Sequence, residues 1–231
     1  MTVCVNCGVE VLDEKGEEKR EVYDEKLYKS TGIIKLIECT QCKDYVDKYI
    51  EYEGCLVLLD LALQHPPAYR HSLINQEHRT LIYKMAFLTL IVDSYCRWAM
   101  DSADRQFFER EFEFYAKFGL AVSSLLVNIS ICLLIVSFYQ LFKMSSVAVN
   151  YPRLFDGLLL SFCTRFLQLL ALLWGTESTQ FLWWFVDFIY LLTSFNVLRI
   201  LSGFGEIQSA AVAVVSHLAL HLVDFNGHLL L

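Results

Sequence analysis

No cluster of lysines and arginines marks this chain, and its formal net charge is −7. A surface that neutralises nucleic-acid phosphates needs a basic patch, so nucleic acid is excluded as a partner. Also missing are G-x-S-x-G, H-E-x-x-H, a glycine-rich phosphate loop and a cysteine-rich acyltransferase signature. Those motifs carry hydrolytic, metal-assisted and nucleotide chemistry, and without them the expectation is a protein that is not an enzyme. The first 30 residues are rich in Glu and Lys and show no signal peptide. The eight cysteines are therefore not expected to form the disulfide framework of a secreted miniprotein.

What the chain has in excess is apolar. Hydrophobic residues make up 55% of its 231 positions, 17 of them Phe, and the mean hydropathy is +0.41. That exceeds the needs of a soluble core, so apolar surface is expected to face lipid. The excess is uneven, because Met1 to about Glu53 is charged and polar. Within that stretch lie two Cys-x-x-Cys pairs, Cys4 with Cys7 and Cys39 with Cys42. Such a turn converges two sulfurs on one ion, and Gly8 after Cys7 permits the tight reversal. Four thiolates with no water or carboxylate among them describe a closed, structural zinc site with no position left for catalysis. A redox dithiol would need a thioredoxin-like context that this chain lacks. Thiols that hold metal must stay reduced, which places the N-terminus in the cytosol.

The apolar run Ile33, Ile34, Leu36 and Ile37 before the second pair suggests strand, knuckle, strand, with the charged run Asp13 to Glu25 as a solvated loop or hairpin tip. The fold class expected is a small zinc-ribbon-like β domain over residues 1–55, then an α-helical multi-pass membrane domain. Residues 56–79 join the two. Cys55 has no partner at metal spacing and reads as a buried thiol. Leu56 to Leu63 reads as a short helix with Asp60 on its polar side, ended by Pro66 and Pro67. It is too short to cross a bilayer, and packs on the zinc domain or lies at the interface. Arg70 and His71 then stand before the first membrane candidate, where they either contact lipid phosphate or an acidic partner, or cap a helix and pair with Asp60 or Glu77.

The ordered strings Cys4-x-x-Cys7-Gly8, Cys39-x-x-Cys42, Val46-Asp47-Lys48-Tyr49-Ile50-Glu51-Tyr52-Glu53, Leu58-Leu59-Asp60 and Tyr69-Arg70-His71-Ser72-Leu73-Ile74-Asn75 resemble the Arv family, named for ACAT-related protein required for viability. As motif, the resemblance covers roughly the first 80 residues, and beyond them it is one of hydrophobic architecture. Two departures, Glu53 where the family pattern often has Asp and the tandem Pro66-Pro67, leave the carboxylate and the downstream motif in place. The resemblance implies a multi-pass endoplasmic reticulum membrane protein in sterol distribution, sphingolipid homeostasis and glycosylphosphatidylinositol (GPI) anchor assembly. Its implied partners are membrane lipids, sterol among them, and lipid- or GPI-biosynthetic membrane proteins.

Over residues 80–231 the clearest span is 118–142, free of formal charge and flanked by Lys117 and Lys143. Residues 81–100 form a candidate that either spans or is re-entrant, with Asp93 and Arg97 four apart on one face. Segments 155–174 and 181–201 are further spans, made an antiparallel hairpin by the short link Gly175 to Gln180. Segment 203–223 is a fifth candidate. The aromatic and acidic stretch Asp101 to Tyr115 reads as an amphipathic element on the membrane. Arg165 and Asp187 are the charges of interest, since an ionised group at bilayer depth costs about 2.5 to 3.5 kcal/mol and turns inward. Paired across neighbouring helices, they form either a structural ion pair or a polar site for a lipid headgroup or sterol hydroxyl. His217 and His221 share a helical face at a spacing that can bind metal, but with no third ligand in the surrounding sequence they read as polar-face residues. Asn128-Ile129-Ser130 lies within the best span and is not a glycosylation site.

Three functions follow. The first is a non-enzymatic factor in lipid homeostasis and sterol transport. The second is a membrane-embedded lipid enzyme using Asp93, Arg165, Asp187 and the late histidines. The third is a zinc-domain adaptor subunit of a lipid- or GPI-biosynthetic complex.

Overall fold

Each Cys-x-x-Cys turn reverses the chain so sharply that the residues flanking it can pair. In a computed structural model, which describes residues 2–11, 36–76, 79–101, 107–143, 149–173 and 179–230, this gives two antiparallel bridges, Val3 with Glu10 and Glu38 with Tyr45. Among the described residues these bridges do not extend into the strands expected of a zinc-ribbon-like β domain. The cause is local: each knuckle closes on itself through Cys4 N to Val9 O at 2.9 Å and Cys39 N to Asp44 O at 2.7 Å. The two hairpins are then cross-linked by Val5 N to Val46 O rather than by a continued ladder. Ile33, Ile34 and the run Asp13 to Glu25 lie outside the described residues.

The chain divides into two compact units, Met1–His78 and Arg79–Leu231. In the first, Asp47 caps a 3-10 turn at Lys48–Glu51 by accepting from Tyr49 N at 3.0 Å. Helix α1, Gly54–Ala62, follows and packs Val57 and Leu61 against a core of Val5, Tyr49 and Ala68. Those two residues lie four apart on one face, and Cys55 falls on the opposite side. Cys55 is consequently exposed, not buried as its apolar surroundings suggest. Leu56, Leu58, Leu59 and Leu63 are exposed as well. A turn with Gln64 at φ 61 ends the helix, and Pro66 and Pro67 occupy the first turn of α2, Pro66–Arg70. Proline fits there because a first-turn N–H has no helical partner to lose. A single π-helical turn, His71–Asn75, continues from α2.

The second unit is built of helices: α3 (Arg79–Asp101), α4 (Phe107–Lys143), α5 (Tyr151–Cys163), a 3-10 turn (Thr164–Leu167), α6 (Gln168–Leu173), α7 (Thr179–Leu201) and α8 (Glu206–Leu230). Four stretches are long and apolar enough to cross a membrane, Glu111–Phe142, Tyr151–Leu173, Phe181–Leu201 and Glu206–Val223. The chain is thus built as a multi-pass membrane protein. The last stretch falls within the fifth candidate, 203–223. The best span is longer than its charge-free core, because α4 runs on through Glu111, Glu113 and Lys117. The element expected to lie on the membrane from Asp101 to Tyr115 is therefore, from Phe107 on, the beginning of α4. Residues 102–106 and the linking residues 174–178 are outside the described set, as are the side chains of Phe107, Phe108 and Lys143.

Polarity in this unit is inverted relative to a water-soluble protein. On α3 the buried residues Ile82, Ala86, Thr89, Asp93 and Cys96 form one stripe, while Leu81, Leu88, Ile91 and Tyr95 are exposed. On α7 and α8, Thr193, Asn196, Ser209 and Ser216 are buried and Phe181, Trp184, Phe188, Val214 and Leu218 face outward. Lipid demands this arrangement, since apolar side chains lose nothing by facing acyl chains and polar groups must find partners inside. Helix α3 is left off the four because its charges are numerous, with Arg79 and Lys84 exposed in its first two turns and Asp93 and Arg97 turned inward.

Candidate functional site

The four N-terminal thiols converge. Cys4 Sγ lies 3.6 Å from Cys42 Sγ, and Cys7 Sγ lies 3.6 Å from Cys39 Sγ. All four sulfurs sit within 4.8 Å of one another, and none is in a disulfide. A tetrahedral ion with metal–sulfur bonds of about 2.3 Å requires sulfur–sulfur edges of about 3.8 Å, so the cluster fits such an ion with little adjustment. Both knuckles need a left-handed residue after the second cysteine. Gly8 supplies it at φ 77 and Lys43 at φ 62. Without metal the thiols differ in acidity. Burial pushes Cys4 up to about 12. Burial also opposes the Cys39 thiolate, but the backbone N–H groups of Cys42 and Gln41 and the neighbouring thiols outweigh it and bring that group down to about 7.

The string Tyr69 to Asn75 closes around this cluster from behind. Arg70 Nη1 donates to the carbonyls of Val5 at 2.7 Å and Asn6 at 2.8 Å, the two residues between Cys4 and Cys7. A Cβ on Gly8 would stand 3.4 Å from Arg70 Nε, so glycine there leaves the room the guanidinium uses. Asn75 pairs with Val3 as a strand would, its Oδ1 accepting from Val3 N and its Nδ2 donating to Val3 O, both at 3.0 Å. Asp47 ties the parts together. Its carboxylate accepts from Tyr49 N, from Asn75 Nδ2 at 2.7 Å and from His71 Nδ1 at 2.7 Å, with Asp47 and His71 both buried. Tyr49 in turn donates to Asp60 Oδ2 at 2.7 Å, and burial raises its phenol well above the ordinary range. Arg70 and His71, read as candidate lipid or partner contacts, thus make these bonds inside the unit, and His71 has Asp47 as its partner where Asp60 or Glu77 was expected. Sequence reasoning missed Asp47 and Asn75 because both act over long separations.

A second cluster lies in the helical unit. Arg165 sits in the 3-10 turn between α5 and α6, and this break aims its guanidinium at two carboxylates. Nη1 reaches Asp93 Oδ1 at 3.3 Å on α3, and Nη2 reaches Asp187 Oδ1 at 3.2 Å on α7. Asp93 Oδ2 also pairs with Arg97 Nε at 3.0 Å. The Arg165–Asp187 pairing expected from sequence is present, and Asp93, assigned only to Arg97 there, joins it. The Arg165 guanidinium also stands 5.5 Å over the Tyr190 ring. Tyr190 donates its hydroxyl to Asn128 Oδ1 at 3.1 Å, and Asn128 Nδ2 donates to Ser216 O at 3.1 Å. The asparagine of the unused sequon is therefore an interhelical tie. Asp156 is paired with Arg79 at 2.9 Å and with the Tyr83 hydroxyl at 2.8 Å. His217 and His221 sit beside Asp187, with their Nε2 atoms 3.2 Å apart.

Comparison with known proteins places these features in a group. The Arv1-like family matches residues 3–198, which include both cysteine pairs, the Tyr69 to Asn75 string, Arg165 and Asp187. Protein ARV 1 of Arabidopsis thaliana is 26% identical over 229 residues, covering 95% of this chain and 86% of its own length. Protein ARV1 of Bos taurus is 25% identical over 225 residues, covering 93% of this chain and 74% of its own. A Dictyostelium discoideum protein, arv1 homolog, is 34% identical over 102 residues, 42% of this chain and 38% of its own. No solved structure matches the chain. With most of its length matched, including the thiol cluster and Arg165 with Asp93 and Asp187, this chain belongs to the Arv1-like family.

Proposed function

We propose that this protein is a non-enzymatic factor of lipid homeostasis in the endoplasmic reticulum membrane. A cytosolic head, held together by structural zinc on Cys4, Cys7, Cys39 and Cys42 in a zinc-ribbon-like arrangement, engages lipid- or GPI-biosynthetic membrane proteins. The helical body contacts sterol or another membrane lipid and so supports intracellular sterol transport, sphingolipid metabolism and GPI-anchor assembly. Family membership supports the lipid sphere, and the reduced, closely set thiols support the cytosolic side. One observation carries the lipid contact. Arg165 is buried and shared between Asp93 and Asp187, yet its Nε has no hydrogen-bond partner among the described residues. An unsatisfied buried donor of that kind is costly, and a hydroxyl or phosphate oxygen from a lipid would satisfy it.

Photo-crosslinking in native membranes with sterol and glycolipid probes tests this. Labelling of the wild-type chain that falls severalfold in Arg165→Leu supports the reading, and equal labelling of both overturns the assigned contact.

A second reading has its own observation. Asp93, Arg165, Asp187, His217 and His221, scattered over the sequence, are brought together by α3, the 3-10 turn, α7 and α8. This is what a membrane-embedded lipid enzyme requires. Lipid turnover by the purified protein, lost in Asp187→Ala, would promote it over the first.

A further inference from the structure

Helix α8 brings two histidines, one turn apart, against a carboxylate of α7. His217 Nε2 and His221 Nε2 are 3.2 Å apart, and His221 Nε2 is 3.9 Å from Asp187 Oδ2. All three ligand atoms lie within 4.8 Å of one another. For a tetrahedral ion with metal–nitrogen bonds of about 2.0 to 2.1 Å, neighbouring ligand atoms stand about 3.3 to 3.4 Å apart. The histidine pair is already at that separation, and Asp187 Oδ2 stands about half an ångström beyond it from His221 Nε2. The two imidazole rings are set edge to face at 88°, which lets both Nε2 lone pairs aim at one point without stacking the rings.

We propose that Asp187, His217 and His221 form a second metal site, distinct from the thiolate cluster, that takes a divalent transition ion such as zinc and leaves a fourth position for water. The donor set is nitrogen and oxygen, so it differs in kind from four thiolates. Its supporting contacts are in place. Asp187 Oδ1 is held by Arg165 Nη2, which fixes the carboxylate and leaves Oδ2 for the ion. Arg165 also bonds Asp93, a carboxylate it shares with Arg97, so Asp187 is not its sole anionic partner. The Tyr190 ring packs against His217 at 5.5 Å. The site also has a way in. In the sequence, Asp187 lies within two turns of the polar run Gly175 to Gln180 that precedes its span, and His221 lies within one turn of Asp224, the first charge after its own apolar run. At a 1.5 Å rise per residue, that is roughly 10 Å or less from one end of each span, and the His221 side chain is 41% exposed. The two histidines fall beyond the residues matched by the family, so this site is a property of the chain and does not rest on the proposed function.

The test is metal content and coordination in the full-length protein purified in detergent and saturated with zinc. Two zinc ions per chain are expected. Cys39→Ser should lose one and keep the other, while His217→Gln and His221→Gln should each lose the one that Cys39→Ser keeps. X-ray absorption of the zinc in Cys39→Ser should show nitrogen and oxygen neighbours, imidazole among them, and no sulfur. That measurement stands even if a histidine variant fails to fold. A single zinc in the wild type, an unchanged count in both histidine variants, or a sulfur shell in Cys39→Ser would each overturn the proposal.

Discussion

Arg70 donates to the carbonyl of Asn6, inside the first Cys-x-x-Cys turn, from 64 positions away in the chain. The knuckle is thereby braced through its backbone carbonyls by a residue that lies outside both Cys-x-x-Cys turns. Such supporting groups typically contribute 10- to 100-fold to metal affinity. Arg70→Ala is expected to weaken zinc binding by about that factor, read by competition with a chromogenic chelator, while membrane insertion stays at the wild-type level. Arg70→Lys should recover only part of the loss, because a single ammonium cannot reproduce the planar donor geometry.

Asp47 is the hub behind the knuckle, accepting from Tyr49 N, His71 and Asn75. Removing a buried carboxylate leaves those donors without this partner, at a cost of about 1 to 3 kcal/mol for each one left unsatisfied. Asp47→Ala should make the head protease-sensitive at temperatures where the wild type resists, with residues 79–231 still inserted. Intact protease resistance would count against the hub.

The metal-free head should show a stability maximum near the ordinary thiol value of 9.0. Cys39 is depressed to about 7, so its contribution is present above 9.0 and lost as pH falls through about 7. Cys4 is raised to about 12, so its contribution is present below 9.0 and lost as pH rises toward about 12. Metal binding requires thiolates and removes the alkaline loss. Pulse proteolysis of the reduced full-length chain from pH 6 to pH 10, with and without zinc, reads both limbs, and a flat metal-free profile would contradict the assignment.

Helix α3 is expected to cross the membrane despite its charges, because its apolar stripe faces outward and Asp93 and Arg97 pair inside. With the N-terminus cytosolic, a glycosylation sequon placed in residues 102–106 should then be modified, and one at the C-terminal end of α8 as well, since five spans carry the chain to the far side. Modification at neither position would make α3 re-entrant.

Much of this was legible in the sequence for specific reasons. The four cysteines, the polar head and the apolar body are written in spacing and composition, and Arg165 with Asp187 stood out because charge is rare in apolar runs. What stayed hidden depends on contacts far apart in the chain. Asp47 and Asn75 are ordinary polar residues until His71 and Val3 are brought to them. Asp93 had a nearer explanation in Arg97, four residues on, and its bond to Arg165 exists only once α3 packs beside the 3-10 turn. Among the described residues the bridges stay short, because each knuckle closes on itself before a ladder can extend. Pro66 and Pro67 were read as a stop but serve as the start of the next helix, a distinction that spacing alone does not carry.

The central claim is that the head and the native helical body act together on lipid. The direct measurement is rescue of cells lacking their own family member, scored by sterol distribution and GPI-anchored protein at the surface. Full-length protein should restore both, and residues 1–78 fused to an unrelated membrane anchor should restore neither. Full rescue by that fusion would reduce the body to an anchor and contradict the account.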